Sequence, residues 1–112
     1  VEEQYRRVHE AGGLVVHAHP FRERSYIKEI RLFPKAVDAV EAINIGNGNK
    51  EFDDKAAEYA MQHGLLMTAG TDSHGIEHKR SGVTFKHRLE DINDFITSIR
   101  ADDYELIQGL PV

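Results

Sequence analysis

Short apolar runs alternate with amphipathic stretches along the chain, and this alternation predicts its elements. Apolar runs that end at glycine or polar residues predict buried strands. These strands are expected at about residues 13–18, 40–45, 65–69, 82–85 and 104–107. Apolar residues three and four positions apart predict helices, several of which end at a glycine. The helices are expected over residues 1–11, 50–63 and 89–100, with a further short helix around Tyr26–Leu32.

The order of these elements predicts an α/β fold. Strands that alternate with helices are typically parallel and joined by right-handed crossovers. Such sheets bury both faces or close into barrels, and their ligands bind at the carboxyl ends of the strands. We therefore expect the chemistry of this chain in the residues that directly follow each strand.

Histidine and aspartate residues follow two of the predicted strands. The first run ends in His17-Ala18-His19-Pro20, and the third leads into Gly70-Thr71-Asp72-Ser73-His74. In an extended chain, residues two positions apart point to the same side, so Asp72 and His74 are expected to face one pocket. Imidazole and carboxylate together favour Zn²⁺, Mn²⁺ or Fe²⁺ over Ca²⁺. The pattern predicts a metal centre at the mouth of a parallel sheet.

Composition narrows the class of protein. The 112 residues correspond to one domain, residues 1–112, or to part of a larger one. The formal net charge of −5 argues against a broad nucleic-acid interface. No apolar run approaches the roughly 18–20 residues that span a bilayer. Cysteine is absent, which excludes thiolate metal sites and agrees with the cytoplasmic location that we expect.

The order of these motifs resembles that of the PHP (polymerase and histidinol phosphatase) superfamily of metal-dependent phosphoesterases. The resemblance covers about residues 8–85 and rests on His19-Pro20, the 40–45 strand, a helix that ends in glycine, and Gly70-Thr71-Asp72-Ser73-His74. It implies a distorted β/α barrel of roughly seven strands with about two or three metal ions. The early His-x-His motif and the middle ligands of the family have no match. We therefore expect this chain to be the C-terminal portion of such a barrel, a partial β/α barrel.

The resemblance also implies roles for individual residues. His19, Asp72 and His74 match metal ligands, and Arg22 falls where a basic residue contacts the substrate phosphate. His17 and Asn44 are expected beside the ligands, as partners rather than as ligands. The implied reaction is hydrolysis of a small phosphate monoester or a nucleotide by metal-activated water, without an organic cofactor. Because the chain matches only three ligands, the isolated 112 residues are expected to be inactive.

Two other functions fit the same residues. The chain could be a non-catalytic structural module, as some PHP regions of polymerases are, and only in a polymerase would nucleic acid be a partner. An amidohydrolase-like metal hydrolase shares the barrel and the ligand types, but it normally needs a lysine on a mid-barrel strand, and no lysine lies inside a predicted strand. A thin parallel sheet also has an open edge, which a second copy of the chain could cover.

Overall fold

The computed structural model describes residues 1–24, 27, 29–73 and 79–111, which form a mixed α/β structure. Five strands, three α-helices and one short 3-10 helix are present in these residues. In chain order, they are α1 (Glu2–Glu10), β1 (Val16–His17), β2 (Ala39–Asn44), the 3-10 helix (Ile45–Asn47), α2 (Lys50–His63), β3 (Leu66–Gly70), β4 (Lys79–Phe85), α3 (Ile92–Arg100) and β5 (Tyr104–Pro111).

The first three strands form a parallel sheet, as the element order predicted. Their spatial order is β1-β2-β3, and both pairs are parallel. All three strands therefore end at the same edge, where the chain continues into Ala18, Ile45 and Thr71 respectively. The segments in which we expected ligand-binding residues therefore lie at one edge of the sheet.

The last two strands correct the expectation that all strands are parallel. β4 and β5 pair antiparallel in a separate sheet, with Phe85 opposite Tyr104. α3 has nine residues and is only about 14 Å long. After it, the chain returns to the end of β4 at which it left, so that β5 begins beside the last residue of β4. In the described part of the chain, the five strands form two sheets and no closed barrel.

The core lies between the parallel sheet and α2. Val15, Val37 and Val40 from the sheet side pack with Tyr59 and Ala60 of α2, and all five are buried. A hydrogen bond of 2.7 Å from the Tyr104 hydroxyl to the Met67 carbonyl connects β5 with β3. The two sheets are therefore joined by a polar contact in addition to packing.

Helix ends follow local signals in the sequence. The predicted helix at residues 50–63 is confirmed as α2: Asn49 accepts a hydrogen bond from the Glu51 amide at its start, and Gly64 ends it with a left-handed φ of 64°. The helix that was predicted from residue 89 begins only at Ile92. Asp91 accepts a hydrogen bond from the Asp94 amide, which makes Asp91 the N-cap and leaves Leu89 outside the helix.

Three further expectations need correction. The first strand is much shorter than residues 13–18, because Asp38 rather than a neighbouring strand binds the Val15 amide. Residues 27 and 29–32 are not helical, and the rest of the helix expected around Tyr26–Leu32 lies outside the described residues. Lys79 begins β4, so one lysine does lie in a strand.

In the residues that the structure covers, no helix is long and apolar enough to cross a membrane.

Candidate functional site

A group of polar residues lies at the carboxyl edge of the parallel sheet, and we call it the strand-end site. It is built from the end of β1 and the loop that follows, the end of β2 with the 3-10 helix that follows, and the residues after β3. Its members are His17, His19, Arg22, Glu41, Asn44, Asn47 and Asp72.

Arg22 is the centre of this site. Its side chain is 5% exposed, and each of its three guanidinium nitrogens donates to an oxygen of a different residue. Nε donates to Asn47 Oδ1 at 2.8 Å, Nη2 to Asn44 Oδ1 at 3.3 Å, and Nη1 to Asp72 Oδ2 in an ion pair. A buried guanidinium is tolerated only where its charge and donors are satisfied. Arg22 therefore ties the β2 end and the β3 end together.

A second carboxylate fixes the asparagines that surround Arg22. Asp53 of α2 accepts from the Asn47 side-chain amide at 2.7 Å and from the Asn44 backbone amide at 3.2 Å. Asn44 Oδ1 also accepts from the Gly46 amide and so caps the 3-10 helix. The side chains around Arg22 thus have a single hydrogen-bonded arrangement rather than a solvated one.

Glu41 lies in the same site because β2 is irregular. The register between β2 and β3 shifts between Glu41 and Ile43. In a regular strand, Glu41 and Asn44 would point to opposite faces, since they are three residues apart. With the bulge, Asn44 Nδ2 donates to Glu41 Oε1, which also accepts from the His19 amide at 3.0 Å. Bulges of this kind often re-aim side chains next to functional sites.

Two histidines line a small cavity beside Arg22. The cavity has a volume of about 170 Å³, and its walls include His17, His19, Arg22, Glu29 and Arg31. Burial of the imidazole, and then the nearby His19, lower the pKa of His17 below its usual value. The Nδ1 atom of His17 is buried and has no hydrogen-bond partner among the described residues. Burial therefore favours the neutral imidazole of His17.

The backbone leaves the extended conformation at two of the three predicted metal ligands, His19 and Asp72. The φ angles of His19 and Asp72 are +31° and +53°, in the left-handed region that few residues other than glycine adopt. The strand alternation from which we expected Asp72 and His74 to face one pocket therefore does not extend through Asp72. His74 lies outside the described residues.

The side chains at this edge are of the types that bind transition metals, but among the described residues their arrangement does not form a metal site. His19 and Asp72 carry the nitrogen and oxygen ligands that Zn²⁺, Mn²⁺ or Fe²⁺ accept. Among the described residues, however, no three His, Cys, Asp or Glu side chains converge on one point. Asp72 is also paired with the Arg22 guanidinium. The described residues alone therefore do not complete a metal site.

The sequence identified part of this site and missed the rest. His17, His19, Arg22, Asn44 and Asp72 were all predicted at this edge, and the structure places them there. Glu41 and Asn47 were not among the predicted residues, although Asn47 is 3% exposed and bound to Arg22. A polar residue that interrupts an apolar strand, as Glu41 does, is the signal that could have identified it.

Comparison with known proteins adds no assignment to this geometry. The chain matches no family model, no curated protein and no solved structure.

Proposed function

We propose that this chain supplies part of the active site of a PHP-type, metal-dependent phosphoesterase that hydrolyses a small phosphate monoester or a nucleotide. The observation that carries the proposal is the meeting of His19, Arg22, Asn44 and Asp72 at the carboxyl edge of a parallel sheet. Ligands of open parallel sheets bind at this edge. In such enzymes, bound metal ions supply a hydroxide nucleophile and neutralise phosphate charge.

The volume of the cavity beside Arg22 supports a substrate of small size. Two arginines line this cavity, Arg22 and Arg31, and each is paired with a carboxylate, that of Asp72 and that of Glu29 respectively. Its volume of about 170 Å³ is below the roughly 300–1,000 Å³ of pockets that hold drug-sized ligands. These features favour a phosphate group with a compact alcohol over a polymer.

In this proposal, the residues of the chain act by binding and orientation. The Arg22 guanidinium lines the cavity and fixes the carboxylate of Asp72. The neutral His17 imidazole lies beside His19 and can hydrogen-bond to a ligand without adding charge. Contact of Arg22 with the substrate phosphate stays a prediction, since its nitrogens already donate to three side chains.

Hydrolysis of an aryl phosphate tests the proposal. The full-length natural protein is assayed with 4-nitrophenyl phosphate and added Mn²⁺, beside His19→Asn and Asp72→Asn. Asparagine tolerates the left-handed backbone at His19, and it keeps an acceptor for Arg22 at Asp72. We expect each variant to lose at least about 100-fold in kcat, the loss typical of removing a group that stabilises transition-state charge.

An exposed histidine provides the matched control. His63 lies in the last turn of α2 and is exposed, so His63→Asn should keep the wild-type rate. Equal rates for His19→Asn and His63→Asn would contradict a site at the strand ends.

A structural module is the second candidate, and Arg22 itself favours it. A buried guanidinium that binds residues from three segments stabilises a fold whether or not any reaction takes place. In that case, the full-length wild-type protein would not hydrolyse the aryl phosphate with Mn²⁺, Zn²⁺ or Fe²⁺, while Arg22→Met would still unfold more easily than the wild type.

A further inference from the structure

We propose that Glu41 is a positioning residue of the strand-end site, whose carboxylate holds the backbone of His19 in the conformation that presents the imidazole to the cavity. The consequence for hydrolysis rests on the proposed function, whereas the contact between Glu41 and His19 does not.

His19 has a conformation that needs external support. Its φ of +31° is unfavourable for a residue with a side chain, and such conformations persist only where their surroundings enforce them. Two hydrogen bonds enforce it here. The His19 amide donates to Glu41 Oε1 at 3.0 Å, and the His19 carbonyl accepts from the Arg22 amide at 3.2 Å. Pro20, at the second position of this turn, fixes the direction in which the chain leaves.

The Glu41 carboxylate is itself held on two sides. Asn44 Nδ2 donates to the same Oε1 atom that binds His19. On the other side lies Gly70 at the end of β3, where any Cβ atom would clash with Glu41 Oε2. Only a glycine at position 70 leaves the carboxylate in place. The position of the Glu41 carboxylate therefore depends on Asn44 of its own strand and on Gly70 of β3.

The same contacts connect two of the three predicted metal ligands, His19 and Asp72. Glu41 binds His19 and Asn44, Asn44 binds Arg22, and Arg22 binds Asp72. This chain of hydrogen bonds crosses all three parallel strand ends. Because both lone-pair directions of Glu41 Oε1 are used by His19 and Asn44, this atom acts through His19 and not on a substrate.

Hydrogen exchange at the His19 amide tests the positioning role without reference to any reaction. Glu41→Ala removes the acceptor, and Gly70→Ala displaces it while leaving its charge intact. We expect both to accelerate exchange of the His19 amide by about 10- to 100-fold, as loss of a charge-assisted hydrogen bond implies. Glu41→Gln keeps an oxygen acceptor and should lie between the wild type and Glu41→Ala. Unchanged exchange at His19 in Glu41→Ala would overturn the proposal.

A matched control separates local release from general destabilisation. Glu105 is an exposed glutamate in β5, so Glu105→Ala should leave His19 exchange unchanged. If every amide of β1, β2 and β3 accelerated equally in Glu41→Gln and Glu41→Ala, Glu41 would be a general structural residue, and the positioning role would be overturned.

Aryl phosphate hydrolysis by the same variants of the full-length protein provides the second readout. We expect kcat to fall by about 10- to 100-fold in Glu41→Ala, the usual cost of losing a residue that orients a ligand, with partial recovery in Glu41→Gln. If the His19 amide responds but the wild type does not hydrolyse the ester, the proposed function fails and the contact stands. If the amide is released and hydrolysis continues unchanged, the positioning role for the reaction is overturned.

Discussion

At the scale of single residues, the ion pair between Arg22 and Asp72 sets the character of the site. The Arg22 side chain is 5% exposed and the Asp72 side chain 33% exposed, so the pair spans the boundary between the core and solvent. Burying a charge costs more than an ion pair regains unless further hydrogen bonds satisfy it, which Asn44 and Asn47 provide here. The sequence placed Arg22 in the site, but it gave no indication that the guanidinium is buried.

Replacement of Arg22 should therefore destabilise the whole fold. We expect Arg22→Met to lower the free energy of unfolding by about 2–3 kcal/mol, below the 3–5 kcal/mol typical of a fully buried pair because Asp72 keeps contact with water. Urea unfolding followed by circular dichroism measures this difference. Arg31→Met is the control, since Arg31 is an exposed arginine of the neighbouring loop. Equal midpoints for the two variants would show that the Arg22 network contributes no stability.

At the scale of elements, the sequence predicted what local chemistry determines. Both ends of α2 follow from a capping asparagine and a terminating glycine, and both were placed correctly. The start of α3 was missed, because apolar periodicity continues to Leu89 while the cap lies at Asp91. The bulge in β2 and the two-residue length of β1 depend on partner strands and on Asp38. No pattern within these segments specifies them.

The glycine that ends α2 offers a direct test of local backbone preference. Gly64 has a φ of 64° and open space around its Cα, so a methyl group would clash with nothing but would strain the backbone. We expect Gly64→Ala to lower the free energy of unfolding by about 1 kcal/mol, measured in urea. Gly82→Ala is the matched control: Gly82 also has open space, but its backbone is not left-handed. A loss at Gly82 as large as that at Gly64 would contradict the explanation.

The segment that leads into α3 should respond to pH through His87 and Asp94. Hydrogen bonding to Asp94 raises the pKa of His87, and the same bond lowers the pKa of Asp94. The contribution of His87 is complete below its unfolded pKa of about 6.5 and is lost as pH rises through the higher folded value. That of Asp94 is present above about 3.9 and is lost as pH falls through its lower folded value.

Thermal unfolding across this pH range measures the effect. We expect the midpoint temperature of unfolding of the wild type to exceed that of His87→Gln most between about pH 4 and pH 6.5. This difference in midpoint temperature should shrink as pH rises further. A difference that grows above pH 7 would contradict the assigned interaction.

At the scale of the whole molecule, the parallel direction of the first three strands was predictable and the division into two sheets was not. A parallel β1-β2-β3 sheet follows from alternating strands and helices, whereas β4 and β5 also flank a helix and yet pair antiparallel. The difference lies in the path of the chain between β4 and β5, where the chain returns across α3 to the end of β4 at which it left. The predicted site residues met because parallel strands end at one edge, so the fold brought together residues about fifty positions apart such as Arg22 and Asp72.

Metal content of the full-length natural protein tests the central claim most directly. Inductively coupled plasma mass spectrometry would be applied to the purified wild type, His19→Asn, Asp72→Asn and the His63→Asn control. We expect zinc, manganese or iron in stoichiometric amounts in the wild type and the control, and a clear loss in the His19 and Asp72 variants, because these two residues are proposed as metal ligands. The same metal content in all four proteins, or none in the wild type, would contradict a metal-dependent site at the strand ends.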